Sequence, residues 1–325
     1  MRFIYDNFSK KPFKPIYNLV VPRSSRKQWY YHYHEIPTQN TVAKFWDEAI
    51  IKYQNGELEH FNLVAEKPEL IGKKIIWQFW AQGFDDLPEI VQLCFDSVDK
   101  YKEDFQVIRL TDMNYKEYVN FPDFVEEKRK LPEFKTAFFS DLLRTALLKI
   151  YGGVWLDASV VLTKNLDNHL TQLDYFVFSR DPSSPYQDLA KDNSHSYFNW
   201  QDEFKVNFLN SIIIAKHNHP MNQIMLDLLL YFWKTQTTVK HYFFYQILMN
   251  EVRELKVIPL EFPIIDDVLP HLLQEIIKQK VDETNFMNIL EKTGIHKLNL
   301  HHPLAKSKGQ NLTYYGRLYL FIYEN

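Results

Sequence analysis

Apolar positions recur at helical spacing between residues 40 and 54 and stop at Asn55-Gly56, a pattern that predicts a helix closed by a left-handed turn. The run KKIIWQFW, Lys73 to Trp80, follows a turn signal and reads as a short buried strand. Pro88 opens a second helix through Tyr101, with Ile90, Val91, Cys94, Phe95 and Val98 on its apolar face. FQVIRL, Phe105 to Leu110, reads as a second strand, so this stretch has the length of a right-handed strand–helix–strand crossover. Lys116 to Lys130 has a helical pattern interrupted by Pro122. Residues 133–151, EFKTAFFSDLLRTALLKIY, carry the broadest apolar stripe, and Gly152 stands where a left-handed C-cap is expected. VWLDASVVL, Val154 to Leu162, reads as one continuous strand near the middle of a sheet.

Periodicity loosens after residue 165. Residues 181–200 are rich in Ser, Asp and Asn and predict a long loop, of a length often used as a lid. Residues 210–215 read as a strand, 220–235 and 242–255 as helices, 266–292 as an amphipathic helical pair, and 293–325 as short strands and turns. The alternation predicts an α/β fold in two parts: a helical extension over 1–70 and a main domain over 71–325, with no internal repeat.

Composition narrows the chemistry. The 325 residues include only 8 glycines, against about 23 at average usage. Neither G-x-G-x-x-G nor G-x-x-x-x-G-K-[ST] occurs, which excludes the Rossmann fingerprint and the P-loop. The single cysteine, Cys94, excludes an internal disulfide or a multi-cysteine metal site and suits a reducing cytoplasm. A net charge of −3 gives no general attraction to nucleic acid. Neither a membrane-spanning apolar run nor a signal-peptide core is expected. Residues 1–35 differ from the rest. Arg2, Lys10, Lys11, Lys14, Arg23, Arg26 and Lys27 face only Asp6 and Glu35, with aromatic residues interleaved. This segment reads either as an extension packed on the domain or as a contact for the inner, anionic face of a membrane.

One constellation carries chemistry. Asp141 and Arg144 lie three apart on one helix and share a face. Asp157 is the one charged group in the nine-residue apolar run, and strand alternation places Trp155 and Ser159 on its side. A buried carboxylate must be paired, hydrogen-bonded or bound to metal. Two readings therefore stand: Asp157 held by Arg144 or by backbone donors, or bound to a divalent cation with oxygen ligands.

The segments SDLLR and YGGVWLDAS resemble the core of the capsular polysaccharide synthesis glycosyltransferases, relatives of the family-32 glycosyltransferases and the glucosyltransferase domains of clostridial toxins. The likeness begins at IIWQFWAQG and recurs in NSIIIAKHNHP, HYFFYQIL, IHKLNLHH and TYYGRL. It implies an A-type glycosyltransferase fold, a Rossmann-like mixed sheet flanked by helices. It also implies a nucleotide-sugar donor, UDP-linked, and retention at the anomeric carbon. The acceptor implied is a growing, lipid-linked cell-surface polysaccharide. By position, the resemblance assigns Trp77 and Gln78 to the nucleotide base, Asp141 and Arg144 to ribose and sugar, and Trp155 to the donor's flank. It assigns Asp157 to the first Asp of a D-x-D motif for Mn²⁺ or Mg²⁺. Ser159 stands where many relatives have the second Asp, so the expected metal ligands are Asp157, the weaker Ser159 and His302.

Weaker signals surround this core. His296 and Lys297 begin a basic cluster expected to close over the diphosphate, or else to form a solvated turn. Asn210 reads as a donor contact or a turn residue; His241, Tyr242, Tyr245 and Gln246 read as acceptor or sugar contacts or as helix packing. His217 and His219 read as structural, and Asp266-Asp267 as a helix cap. Two rival functions remain: a non-catalytic sugar-nucleotide or polysaccharide binding module, favoured by Ser159, and a glycoside hydrolase using Asp141 and Asp157.

Overall fold

The computed structural model describes residues 2–188, 197–259, 263–300 and 304–324. Three short helices, α1 (Arg2–Phe8), α2 (Lys14–Val20) and α3 (Arg23–Tyr30), lead through a π-type turn into the long α4 (Ile36–Gln54). The crossover follows as β1 (Ile75–Phe79), α5 (Glu89–Tyr101) and β2 (Gln106–Leu110). Next come α6 (Asp123–Lys128), α7 (Thr136–Ile150), β3 (Gly153–Leu156), β4 (Val160–Leu162), α8 (Asn168–Thr171), β5 (Tyr175–Ser179) and β6 (Phe208–Ala215). The last part holds α9 (Pro220–Thr235), α10 (Phe244–Glu254), α11 (Leu272–Ile276), α12 (Glu283–Lys292), β7 (Ile295–Lys297), the two-residue strands β8 (Ser307–Lys308) and β9 (Asn311–Leu312), and α13 (Tyr314–Glu324).

Five strands form the central sheet in the order β2-β1-β3-β6-β5 among the described residues. β1 pairs in parallel with β2 and β3, whereas β6 runs antiparallel to both β3 and β5. This is the mixed, helix-flanked α/β sheet expected, with β3 at its centre. The glycine pair sets that centre. Gly152 and Gly153 have φ of +77° and +106°, a region that side-chain-bearing residues rarely enter. A Cβ on Gly153 would lie 2.5 Å from the Ile75 carbonyl oxygen, so the close approach of β3 to β1 also requires glycine.

Three expectations fail here. The run 154–162 is not one strand: β3 ends at Leu156, the chain turns, and β4 joins β7 in a separate two-stranded sheet. The turn forms because the Asp157 N–H donates to the Ser211 carbonyl while the Val160 N–H closes back on the Asp157 carbonyl, each at 2.9 Å. The tail is not only strands and turns, because Tyr314–Glu324 is helical. Its aromatic hydroxyls anchor it to α5, with Tyr315 Oη donating to Glu89 and Tyr323 Oη to Asp96. Pro122 stands at the N-cap of α6 and starts that helix instead of interrupting it.

The expected boundary at residue 70 does not interrupt the packing. Ile36, Val42, Trp46 and Ile50 of α4 belong to the same buried cluster as the sheet. The fully buried Trp46 donates its indole N–H to the Phe244 carbonyl at 3.0 Å.

Candidate active site

β1 and β3 are parallel, so their carboxyl ends lie at one edge of the sheet, and the antiparallel β6 begins there. Open α/β sheets bind ligands at such an edge. A cleft of about 790 Å³ opens at it, within the range of small-molecule sites. Trp80 and Gln82 after β1, Ser140, Asp141 and Arg144 from α7, Asp157 and Ser159 from the turn, and Lys297 from β7 contribute to its wall.

Arg144 is the hub. One guanidinium nitrogen, Nη2, lies 3.2 Å from Asp141 Oδ1 and 3.3 Å from Asp157 Oδ1. Its Nη1 donates to the Asn210 carbonyl, and Ser140 accepts on both its carbonyl and its hydroxyl. Trp155 donates its indole N–H to Asp157 Oδ1 at 2.8 Å, and its ring lies 5.1 Å from the guanidinium carbon. Gln246 donates to Asn210 Oδ1, and Asn210 donates in turn to Asp141 Oδ1, each at 2.8 Å. The ion pair with Arg144 is formed, and Asp157 still lines the cleft.

The charges do not balance, since one guanidinium faces two carboxylates. Burial pushes the Asp141 carboxyl up to about 7; Arg144 opposes the rise, Asp157 adds to it, and the Asn210 hydrogen bond opposes it. Burial works against the Arg144 charge, but Asp157 and Asp141 outweigh it and raise its pKa. Burial pulls the Lys297 ammonium below its ordinary range, with Asp157 resisting.

Lys297 arrives through the pairing of β4 with β7, where it stands opposite Val160. Its Nζ donates to Ser159 Oγ at 2.5 Å. Strand alternation turns the neighbouring His296 away. His296 is buried, hydrogen-bonded to Thr163 Oγ1 at 2.9 Å, and held near a pKa of about 3 by burial. Of the expected pair, only Lys297 lines the cleft.

Other expected contacts also divide. Tyr242, Gln246 and Asn210 line the cleft, whereas Trp77, Gln78, Trp155, His241 and Tyr245 do not. Trp77 is wholly buried and donates its indole N–H to the Gly152 carbonyl at 2.9 Å. Gln78 accepts from Arg109 at 3.0 Å. The residues of β1's end that reach the cleft are Phe79 to Gln82, a few positions beyond the expected pair. His241 bonds to Glu35 at 2.8 Å, and Tyr245 packs behind Arg144 within reach of Thr145 Oγ1, at 3.3 Å. Asp266 accepts from the Val268 N–H as a cap would, but Asp267 forms a buried ion pair with Arg180 at 2.8 Å. His217 and His219 are structural, bonded to the Ile150 carbonyl and to the Met221 N–H. His302 and part of the expected loop, 189–196, lie outside the described residues.

Among the described residues no three His, Cys, Asp or Glu side chains gather as a metal site. What the turn offers is a carboxylate and a hydroxyl, both hard oxygen donors. The hydroxyl oxygen has two lone pairs, and Lys297 takes one. That set fits an ion of the Mg²⁺ or Mn²⁺ type, which is commonly held by one or two carboxylates and completed by substrate phosphates.

The cleft residues Trp80 and Ser140 lie inside the quoted segments IIWQFWAQG and SDLLR, but neither has a role legible there. His271, also in the wall, has no local signal; burial holds its pKa near 4.

Known glycosyltransferases resemble this chain over part of its length. An O-glycosyltransferase, braB, of Annulohypoxylon truncatum is 24% identical over 64% of this chain and 48% of its own length. An uncharacterized glycosyltransferase of Acanthamoeba polyphaga mimivirus is 27% identical over 45% of this chain and 51% of its own. The chain therefore spans about half the length of these curated relatives. The solved structure of the PaToxG glycosyltransferase aligns over 89% of this chain and 96% of that one, at 14% identity and a TM-score of 0.35. The family model for capsular polysaccharide synthesis protein matches residues 26–318, a span that runs from α3 into α13 and contains every residue of the cleft wall. The chain belongs to the capsular polysaccharide synthesis protein family.

Proposed function

We propose that the cleft transfers a hexose from a nucleoside diphosphate sugar, UDP-linked, to a hydroxyl of a growing, lipid-linked cell-surface saccharide. The observation that carries this reading is the Lys297–Ser159 contact beside Asp157, which sets an ammonium, a hydroxyl and a carboxylate along one wall. The acceptor oxygen bonds to the anomeric carbon as the carbon–oxygen bond to the diphosphate breaks. The diphosphate leaves with the electron pair and takes up the acceptor proton. The anomeric configuration is retained.

Charge building on the diphosphate has to be met by fixed positive groups in a site shielded from water. Lys297 supplies one such charge. A bound Mg²⁺ or Mn²⁺ held by Asp157 and Ser159 would supply the rest. Arg144 and Trp155 act as positioning residues, since both hold Asp157 Oδ1. Asp141, with Asn210 and Gln246 behind it, fixes a polar surface for ribose or sugar hydroxyls. The hydrolase alternative fits less well, because Arg144 Nη2 sits between the two carboxylates where a glycosidic oxygen would have to stand.

The test is turnover of a panel of UDP- and GDP-sugars with Mn²⁺, with Mg²⁺ and with chelator. Asp157→Ala and Lys297→Met should each lower kcat by about 100-fold or more with the fold intact. Full activity in Asp157→Ala would remove that residue from the site. Tight UDP binding with neither transfer nor hydrolysis in the wild type would favour a binding module instead.

A further inference from the structure

The first two helices carry an apolar face that the core does not use. Tyr5 and Tyr17 point inward, paired with Tyr33 and Trp29 at 5.8 and 6.3 Å between ring centroids. Those contacts hold α1 and α2 against the segment that follows. The other large apolar side chains stay in solvent: Phe3, Ile4 and Phe8 on α1, Phe13 between the helices, and Ile16, Leu19 and Val20 on α2. Phe3 is 73% exposed, Leu19 87% and Val20 71%, values far from those of packed residues. Ile16, Leu19 and Val20 follow helical spacing and form one stripe. Phe8 and Phe13 meet at 5.4 Å and join the stripes of the two helices.

Charge selects the occupant of this face. Residues 1–35 hold seven basic and two acidic side chains, whereas the remaining chain holds 31 and 39 of the totals of 38 and 41. Lys10, Lys11 and Lys14 are exposed at the junction of α1 and α2. Arg23 and Lys27 of α3 line a shallow hollow with Tyr31 nearby. A second copy of the chain would bring its own basic segment against this one, and like charges would oppose the contact. An anionic lipid surface attracts the same charges and accepts apolar side chains below its headgroups. Among the described residues no helix is long and apolar enough to cross a membrane, so the contact is interfacial.

We propose that residues 2–27 dock the protein on an anionic phospholipid surface, with Phe3, Phe8, Phe13, Ile16, Leu19 and Val20 entering the interface and the lysines at phosphate level. This docking is independent of the transfer reaction. The test is co-sedimentation of the full chain with vesicles of phosphatidylcholine alone and of phosphatidylcholine mixed with phosphatidylglycerol. The wild type should sediment with the mixed vesicles only, and less as salt rises. The double variant Leu19→Glu/Val20→Glu and the triple variant Lys10→Glu/Lys11→Glu/Lys14→Glu should each weaken binding by at least about tenfold, with unchanged circular dichroism. Hydrogen exchange on the wild type gives a second reading that needs no variant: mixed vesicles should protect amides of residues 2–20. Equal sedimentation with both vesicle types, none with either, or binding untouched by both variants would overturn the proposal. So would a dimer that Leu19→Glu/Val20→Glu converts to monomer in a chain that ignores vesicles.

Discussion

Asp141 shows how one residue can tie stability to pH. Its carboxyl ordinarily titrates near 3.8 and is pushed to about 7 in the fold. The folded state therefore keeps a proton that the unfolded chain releases between those values, so stability falls as pH rises across that interval. The loss is on the order of a few kcal/mol. Asp141→Asn keeps the shape and removes the titration. Urea unfolding from pH 4 to 8 should show a steeper decline for the wild type than for the variant; parallel curves would refute the assignment. Much of this site was legible residue by residue. A lone aspartate in an apolar run demanded a partner, and the i,i+3 spacing of Asp141 and Arg144 put both on one face. The side on which Trp77 and His296 project was not legible, because it depends on which face of each strand the rest of the chain covers. His296 is paired with Thr163, 133 positions away, and no local pattern announces that.

Elements were more legible when they were long and periodic. The stripe on 133–151 became Thr136–Ile150, and Pro220–Thr235 appeared with the bounds its pattern gave. The break after Leu156 was hidden because Val160–Leu162 is as apolar as the strand before it, although it pairs with a different sheet. Tyr314–Glu324 was hidden for the opposite reason: its five aromatic residues favour strands, and tertiary bonds to α5 override them. The turn between α7 and β3 has a sharp test. Gly153→Ala combines an unfavourable φ with a 2.5 Å contact to Ile75, and should cost at least about 2 kcal/mol in denaturant unfolding. Gly309 also has positive φ but nothing within 4 Å, so Gly309→Ala should cost only about 1 kcal/mol. Equal losses would mean that close packing at Gly153 adds nothing.

At the scale of the molecule, α4 packs into the same buried cluster as the sheet. Trp46 has no exposed surface and reaches across to α10. Trp46→Ala should lower global stability by about 3–5 kcal/mol and leave a single unfolding transition. Two separate transitions, with the sheet unaffected, would show that α4 is an appendage. The fold also orders events in time. Lys297 meets Ser159 across 138 positions of chain. At the ribosome, with roughly 5–20 residues added per second, that gap lasts on the order of ten seconds. A nascent chain therefore holds its carboxylates and guanidinium well before the ammonium that faces them. The cation that contacts Ser159 is therefore among the last parts of the cleft wall to be synthesised.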